Sequence, residues 1–331
     1  MKKAACILLI AVMMFGMSGF AYAKDETVTI EYPENLQELG YTEPLVLDGV
    51  PERVVCMSTS PVLALYELGV EMVAIPSSGV VEWPEDLLEK AELLQAGMNS
   101  AFDIETVIAL EPDLVIMPYA SEETYGIVLE SVNIPVYYVD AGHTVAYESI
   151  KAQTQALIDA FAPDSEEGEA IMQRFSDLEE RLSAVQEKLE GKTCMILQSA
   201  PPSHYIQTEE GTLGSMARMI GLTNVYENDI SAMVEIDYEM LLSYAPDLVL
   251  AVGASSSAEE HEALMKEDFD KNPDFWYSID AIRDGDILFL PITFISSAGL
   301  SVIDSINELA DLVEAHYGLL DTEEDVIESA R

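Results

Sequence analysis

An α/β fold of two lobes, each with a central parallel sheet and joined by one long α-helix, is predicted by three features of this 331-residue chain. One stretch occurs twice: residues 103–119 read DIETVIALEPDLVIMPY and residues 237–253 read DYEMLLSYAPDLVLAVG. Asp103, Glu105, Pro112, Asp113, Leu114 and Val115 align with Asp237, Glu239, Pro246, Asp247, Leu248 and Val249 at one offset of 134 residues. That spacing is too long for a solenoid repeat and fits two lobes of similar build. Around each copy, short apolar runs alternate with helical segments, the signature of parallel strands with crossover helices. Between the two alternating regions, Tyr147 to Leu189 reads almost wholly as helix.

The elements follow in order. Residues 1–23 form an export signal: Lys2 and Lys3 precede an apolar run from Cys6 to Phe20, and Ala21-Tyr22-Ala23 is the cleavage site. The run is short for a membrane span, so removal after Ala23 is expected, with a retained anchor as the alternative. Cys6 precedes the apolar run, and no lipobox is present. Residues 25–50 suggest a short hairpin. The first lobe spans 24–146. Its strand Arg53–Met57 is followed by a turn in which Ser60 and Pro61 read as N-cap and first helical residue. A helix runs to Leu68, stopped by Gly69, before a strand Val70–Ile75. Asp103 caps a helix to Leu110, with Glu105 in its first turn. A strand Leu114–Met117, a helix over about Ser121–Val132 and a strand Pro135–Val139 complete the lobe.

Residues 147–191 form the linking helical segment, with a break or kink at Ala162-Pro163-Asp164. Beyond it, Ile171, Phe175, Leu178, Leu182, Val185 and Leu189 recur at helical spacing. The second lobe spans 192–318. Its expected strands are Cys194–Gln198, Leu248–Val252 and Ile287–Leu290, and its helices Gly211–Ile220, Asp237–Tyr244 and Ser301–Tyr317. An acidic tail, 319–331, ends the chain.

The charge excludes whole classes of function. With the signal removed, 13 basic residues face 61 acidic ones, a formal −48. No basic stripe exists to neutralise phosphates, so nucleic acid and anionic membrane surfaces are excluded as partners. Solubility accounts for the acidity. Cys56 and Cys194 sit in apolar strand runs of different lobes and read as separate buried thiols.

In open parallel sheets, ligands bind beyond the carboxyl ends of the strands. The strand-end loops are 58–60, 76–83, 118–125, 140–147, 199–208, 253–257 and 291–299, with 96–102 beside them. They are rich in Ser, Gly and aromatic residues and contain no Lys or Arg. Such walls suit a broad apolar or aromatic ligand better than a strongly anionic one. Candidate ligand-binding residues are Ser58, Thr59, Trp83, Met98, Tyr119, His143, Tyr147, His204, Tyr205 and Phe294. His143 and His204 are either polar loop residues or axial ligands to a haem or corrinoid metal. The tyrosines, Tyr125 included, could serve likewise or stack, and Trp83 could cap its loop. No nucleotide loop, nucleophile elbow or zinc spacing is present, so no catalytic or resident-metal residues are assigned. Glu105 and Glu239 are favoured by their helix dipoles, but the dipole does not explain why both lobes repeat Asp-x-Glu.

Over roughly residues 50–318 the chain resembles the class III, helical-backbone substrate-binding proteins of ABC importers for iron-siderophores, haem and cobalamin. The resemblance is carried by PERVVCMSTSPVLALYELGV, DIETVIALEPDLVIMPY, the long linking helix, DYEMLLSYAPDLVLAVG and NPDFWYSIDAIRDGDILFLP in that order. It implies a monomeric periplasmic protein that clamps an iron-siderophore, haem or corrinoid between its lobes and delivers it to an importer permease. It further implies no bond chemistry and no permanently bound cofactor. One exposed Glu per lobe, Glu105 and Glu239 here, would dock onto permease arginines. The alternative is a metal-ion binding protein or a tetrapyrrole- or chelatase-like enzyme on a related two-lobe fold.

Overall fold

The computed structural model describes residues 27–95, 103–141, 147–200, 203–226, 231–236 and 241–320. Strands β1 (Val28–Ile30) and β2 (Leu45–Leu47) pair antiparallel, but helix α1 (Glu34–Glu38) lies between them, so this is not the short hairpin expected. The first main sheet follows: β3 (Val54–Cys56), α2 (Val62–Glu67), β4 (Met72–Pro76), α3 (Glu85–Lys90), β5 (Glu92–Leu94), α4 (Ile104–Ala109), β6 (Leu114–Pro118), α5 (Ile127–Ser131) and β7 (Val136–Val139). Its strand order is β5-β4-β3-β6-β7, and every neighbouring pair is parallel. All-parallel strands are covered on both faces, and β3 and β7 are accordingly buried along their whole length.

Two predicted features of this lobe are corrected. Ser60 does not cap α2: Pro61 holds the N-cap position without a side-chain bond, and Ser60 Oγ instead accepts from Gln153 Nε2 at 3.4 Å. The segment expected as one helix over 121–132 is a 3₁₀ turn (119–121), a π turn (122–126) and then α5. The π turn leaves Gly126 against the Tyr138 phenol, where any side chain would clash.

The linking segment is two helices, α6 (Tyr147–Phe161) and α7 (Glu166–Lys188). Ser165 caps α7 through the Gly168 amide, and the break falls at the predicted Ala162–Asp164. Ile171, Phe175, Leu178, Leu182 and Val185 form the buried stripe of α7. Its first half meets lobe one, where Arg174 pairs with Glu67 of α2 at 2.8 Å.

The second lobe comprises β8 (Thr193–Ala200), β9 (Ser203–Gln207), α8 (Thr212–Met219), β10 (Thr223–Asn224), β11 (Met233–Glu235), β12 (Leu248–Gly253), α9 (Ala258–Phe269), α10 (Pro273–Trp276), α11 (Asp280–Asp284), β13 (Ile287–Leu290), α12 (Thr293–Ser296) and α13 (Ser301–Tyr317). Its order is β11-β9-β8-β12-β13, with β10 also on β8. β8, β10, β12 and β13 run parallel, but β9 pairs antiparallel with both β8 and β11, so this sheet is mixed rather than parallel throughout. The second half of α7 belongs here: Arg181 donates to Asn307 Oδ1 at 2.6 Å, and Lys188 lies 2.8 Å from the buried Glu314 of α13. One apolar cluster joins Ala64 of α2, the α7 stripe and the faces of α8 and α13, so both lobes pack on the same rod. No helix among the described residues is long and apolar enough to cross a membrane.

The duplicated stretch does the same job twice. Leu114 of β6 pairs with Val54, and Leu248 of β12 pairs with Cys194. The Asp preceding each strand ties down the start of its partner. Asp113 accepts from the Glu52 and Arg53 amides at 2.7 and 2.9 Å, and Asp247 accepts from the Thr193 amide at 2.8 Å. Such charge-assisted bonds are about twice as strong as neutral ones. Cys56 and Cys194 are free and buried, one in each lobe, as expected.

Candidate functional site

The two sheets bring their carboxyl ends together. Ser60 lies just beyond β3 and Gly299 between α12 and α13, and they touch across the lobes. A Cβ at Gly299 would sit 1.8 Å from the Ser60 carbonyl oxygen, and the residue has φ +58°, a conformation suited to glycine. Gln153 of α6 reaches Ser60 Oγ at the same point. In lobe two the Ile292 amide donates to the Ser255 carbonyl at 2.9 Å, joining the loops after β13 and β12. The loops beyond β3 and β13 therefore meet at one point. Two cavities of about 460 and 400 Å³ lie elsewhere: one under lobe one beside the α6–α7 joint, the other between α9 and β13.

The lobe-one wall is aromatic and acidic. Tyr119 follows β6 and lies 6.5 Å, ring to ring, from Tyr41, whose phenol donates to Glu122. Behind them Tyr138 donates to Glu130 at 3.0 Å, and Tyr32 stacks on Tyr137 at 4.7 Å. Burial, and less strongly the Glu130 and Glu122 charges, push Tyr32 up to about 12. Burial and the Glu122 bond likewise raise Tyr41. These phenols stay neutral, Tyr41 donating to Glu122 and Tyr32 accepting from the Tyr138 amide at 3.4 Å. Asp140, at the end of β7, accepts from Ser149 Oγ at 2.9 Å and Asn35 Nδ2 at 3.1 Å. Asn35 and Tyr41 come from the N-terminal segment, which sequence reasoning left out of the site. Only its unusual tyrosine content signalled it.

In lobe two, Ser199 Oγ, His204 and Asp268 form a continuous chain, 2.9 Å to Nδ1 and 2.9 Å to Nε2. Ser199 is 2% exposed and the chain is closed over by α9, so it ties β8, β9 and α9 together. Burial pushes His204 below its ordinary pKa, and Asp268 partly restores it. His261, on the same face of α9, is 1% exposed, and its Nε2 has no partner; burial pushes its pKa down too.

The predicted site residues divide accordingly. Thr59, Tyr119 and Tyr205 are half-buried at strand ends or beside them, and Ser58 is buried next to the pivot. Trp83 folds back over its own loop, donating to the Pro76 carbonyl at 2.9 Å. Tyr147 is buried between the linking helices, 3.0 Å from Glu179, and Phe294 is 1% exposed within the core. His204 has both ring nitrogens engaged, so an axial bond to a metal would require breaking one of them. Met98, His143 and Glu239 lie outside the described residues. Glu105 is exposed in the first turn of α4, where Asp103 caps through the Glu105 and Thr106 amides at 3.1 and 3.3 Å.

Residues 54–292 match the family described as periplasmic binding protein. The high-affinity heme uptake system protein IsdE of Staphylococcus aureus strain MRSA252 is 21% identical over 269 residues, 78% of this chain and 86% of the relative. Among solved structures, an ABC transporter substrate-binding protein from Listeria monocytogenes EGD-e superposes with a TM-score of 0.65 at 20% identity, over 79% of this chain and 98% of that one. The periplasmic catecholate-siderophore binding protein VctP from Vibrio cholerae does so at 0.63 and 19% identity, over 87% and 100%.

Proposed function

We propose a function from one fact: the chain belongs to the periplasmic binding protein family. On this reading it is an extracytoplasmic solute-binding protein. It captures an iron complex, as siderophore or haem, or a corrinoid, and delivers it to the permease of an ABC importer. The geometry supports it: two lobes of like build pack on α7 and meet at Ser60 and Gly299, beyond the carboxyl ends of β3 and β13. The protein does no bond chemistry in this account. Relatives named for heme uptake and for catecholate-siderophore binding support a metal chelate, in general, as the class of cargo.

The steps follow from the packing. Cargo enters against Thr59, Tyr119 and Tyr205. The lobes, drawn at 24–146 and 192–318 around the 147–191 link, close by a small rotation. A large hinge motion would break the shared apolar cluster along α7 and the Arg174–Glu67 and Lys188–Glu314 pairs. The closed form, a processed monomer freed of residues 1–23, offers Glu105 and Glu239 to the permease. Exchanging both for Lys tests the docking role. Uptake of labelled cargo should be abolished while affinity in solution stays within about twofold, because rim charges act mainly on encounter. Uptake at the wild-type rate would refute it.

A further inference from the structure

We infer that the cargo carries no net negative charge at the protein-facing surface: it is a neutral or cationic metal chelate, of the ferric trihydroxamate or corrinoid kind, and not a ferric catecholate trianion or haem with ionised propionates. This deepens the transport reading above and rests on it.

The argument is the placement of charge. Thirteen basic residues remain after the signal, and none of the eleven among the described residues lies in a strand-end loop. Arg53 precedes β3, at the opposite end of the sheet, and donates to the Leu110 and Glu111 carbonyls. Lys192 stands in the same place before β8, over the Tyr317 ring. Arg218 and Arg283 lie near the ends of helices that lead to the amino ends of β10 and β13, facing Glu209 and Asp280, and Lys90 ends α3 just before β5. Lys266 on α9 faces Glu262, and Lys271 just beyond that helix is 3.5 Å from Glu267 and 3.9 Å from Asp268, so both are already paired with carboxylates. Arg174, Arg181 and Lys188 are held by carboxylates along α7. Lys151, one turn into α6, is nearest in the chain to a strand end, and its ammonium is 2.5 Å from Glu179 of α7. None of the strand-end loops contains a Lys or Arg.

Carboxylates are there instead. Glu82, Glu122, Glu123 and Asp140 all belong to the loops after β4, β6 and β7. Glu122 and Asp140 are half-buried, and hydrogen bonds from Tyr41, Asn35 and Ser149 hold these acidic side chains in place. An anion entering between the lobes would lose water, gain no cation and face these groups. The overall negative charge opposes its approach as well. A neutral complex escapes both penalties, and a cationic one gains from each.

Matched pairs of probes test this on the full processed protein by fluorescence quenching: a neutral ferric trihydroxamate against a ferric tris-catecholate, and haem dimethyl ester against haem. We expect the member of each pair without net negative charge to bind on the order of 100-fold more tightly. Residual binding of either anion should strengthen as salt rises from about 20 to 300 mM, because salt screens repulsion. Glu122→Gln should weaken a cationic corrinoid and strengthen the anions. Anions that bind as tightly as their neutral partners, or more weakly as salt rises, would overturn the charge inference and leave the transport reading intact. If no chelate of any charge binds, the transport reading fails and this inference falls with it.

Discussion

Gly299→Ala probes the contact on which the two-lobe account turns. The backbone there has φ +58°, and left-handed geometry costs a residue with a Cβ about 1–2 kcal/mol. The added methyl would also sit 1.8 Å from the Ser60 carbonyl oxygen, about 1.6 Å inside the 3.4 Å at which ordinary contact begins. Neither partner is a flexible side chain, so the lobes must part at the pivot or the backbone must yield, at a further cost of about 1–3 kcal/mol. Gly285→Ala is the matched control: it has φ +88° with nothing within 4 Å of the new Cβ, so it carries the backbone strain alone. At roughly 2–4 °C of melting temperature per kcal/mol, Gly285→Ala should melt about 2–8 °C below wild type. Gly299→Ala should fall about 4–20 °C, and further than Gly285→Ala, or bind cargo at least about tenfold more weakly if the lobes spread instead. Calorimetry and cargo titration on the same preparations separate the two. If Gly299→Ala matches Gly285→Ala in both, the lobes do not bear on one another at Ser60 and the pivot is wrong.

Three further predictions concern the frame around that contact. Phe175→Ala removes a fully buried ring from the α7 stripe shared by both lobes and should destabilise by about 3–5 kcal/mol in urea melts. Asp247→Ala should cost about 1–2 kcal/mol, since it strands the Thr193 amide. That backbone bond, outweighing burial, also holds Asp247 below its ordinary pKa, so the stabilisation is complete above about pH 4 and disappears as acid protonates the folded carboxylate. His261 and His204 are held neutral by burial, so the unfolded chain binds more protons below about pH 6.5 and stability falls as pH drops from 7 towards 5. His261 lies beside Gly253 and Phe289, and burial alone lowers its pKa, whereas His204 faces Asp268. His261→Leu removes the unpartnered Nε2 and should raise stability at pH 7.5 by about 1 kcal/mol and flatten the loss at pH 5.5.

Elements with strong period and clear stops were legible in the sequence. The closing helix Ser301–Tyr317 and the strand Ile287–Leu290 have the predicted bounds, because helical spacing before a left-handed Gly318 and a short apolar run after Gly285 leave little choice. Strand β9 was hidden. Ser203–Gln207 follows two prolines and reads as loop, yet cross-strand pairing with β8 makes it a strand. The short α3 and β5 were missed for the same reason, being too brief to show a period. The site was legible at the level of its loops, since carboxyl ends follow from strand order. Its individual residues were not. Phe294 and Tyr147 are common ligand types, but apolar packing claims them first. Gly299 gave no signal at all, because its significance comes from Ser60, more than two hundred residues away in the chain.

The most direct test of the central claim is the visible absorbance of the protein recovered from its own cells under iron limitation, after the signal has been removed. The account predicts a chromophore bound near one per chain, with the bands of a neutral or cationic metal chelate. It predicts that denaturation releases the chromophore unaltered. A colourless protein that takes up no chelate on titration, or one that returns a chemically changed tetrapyrrole, would contradict it.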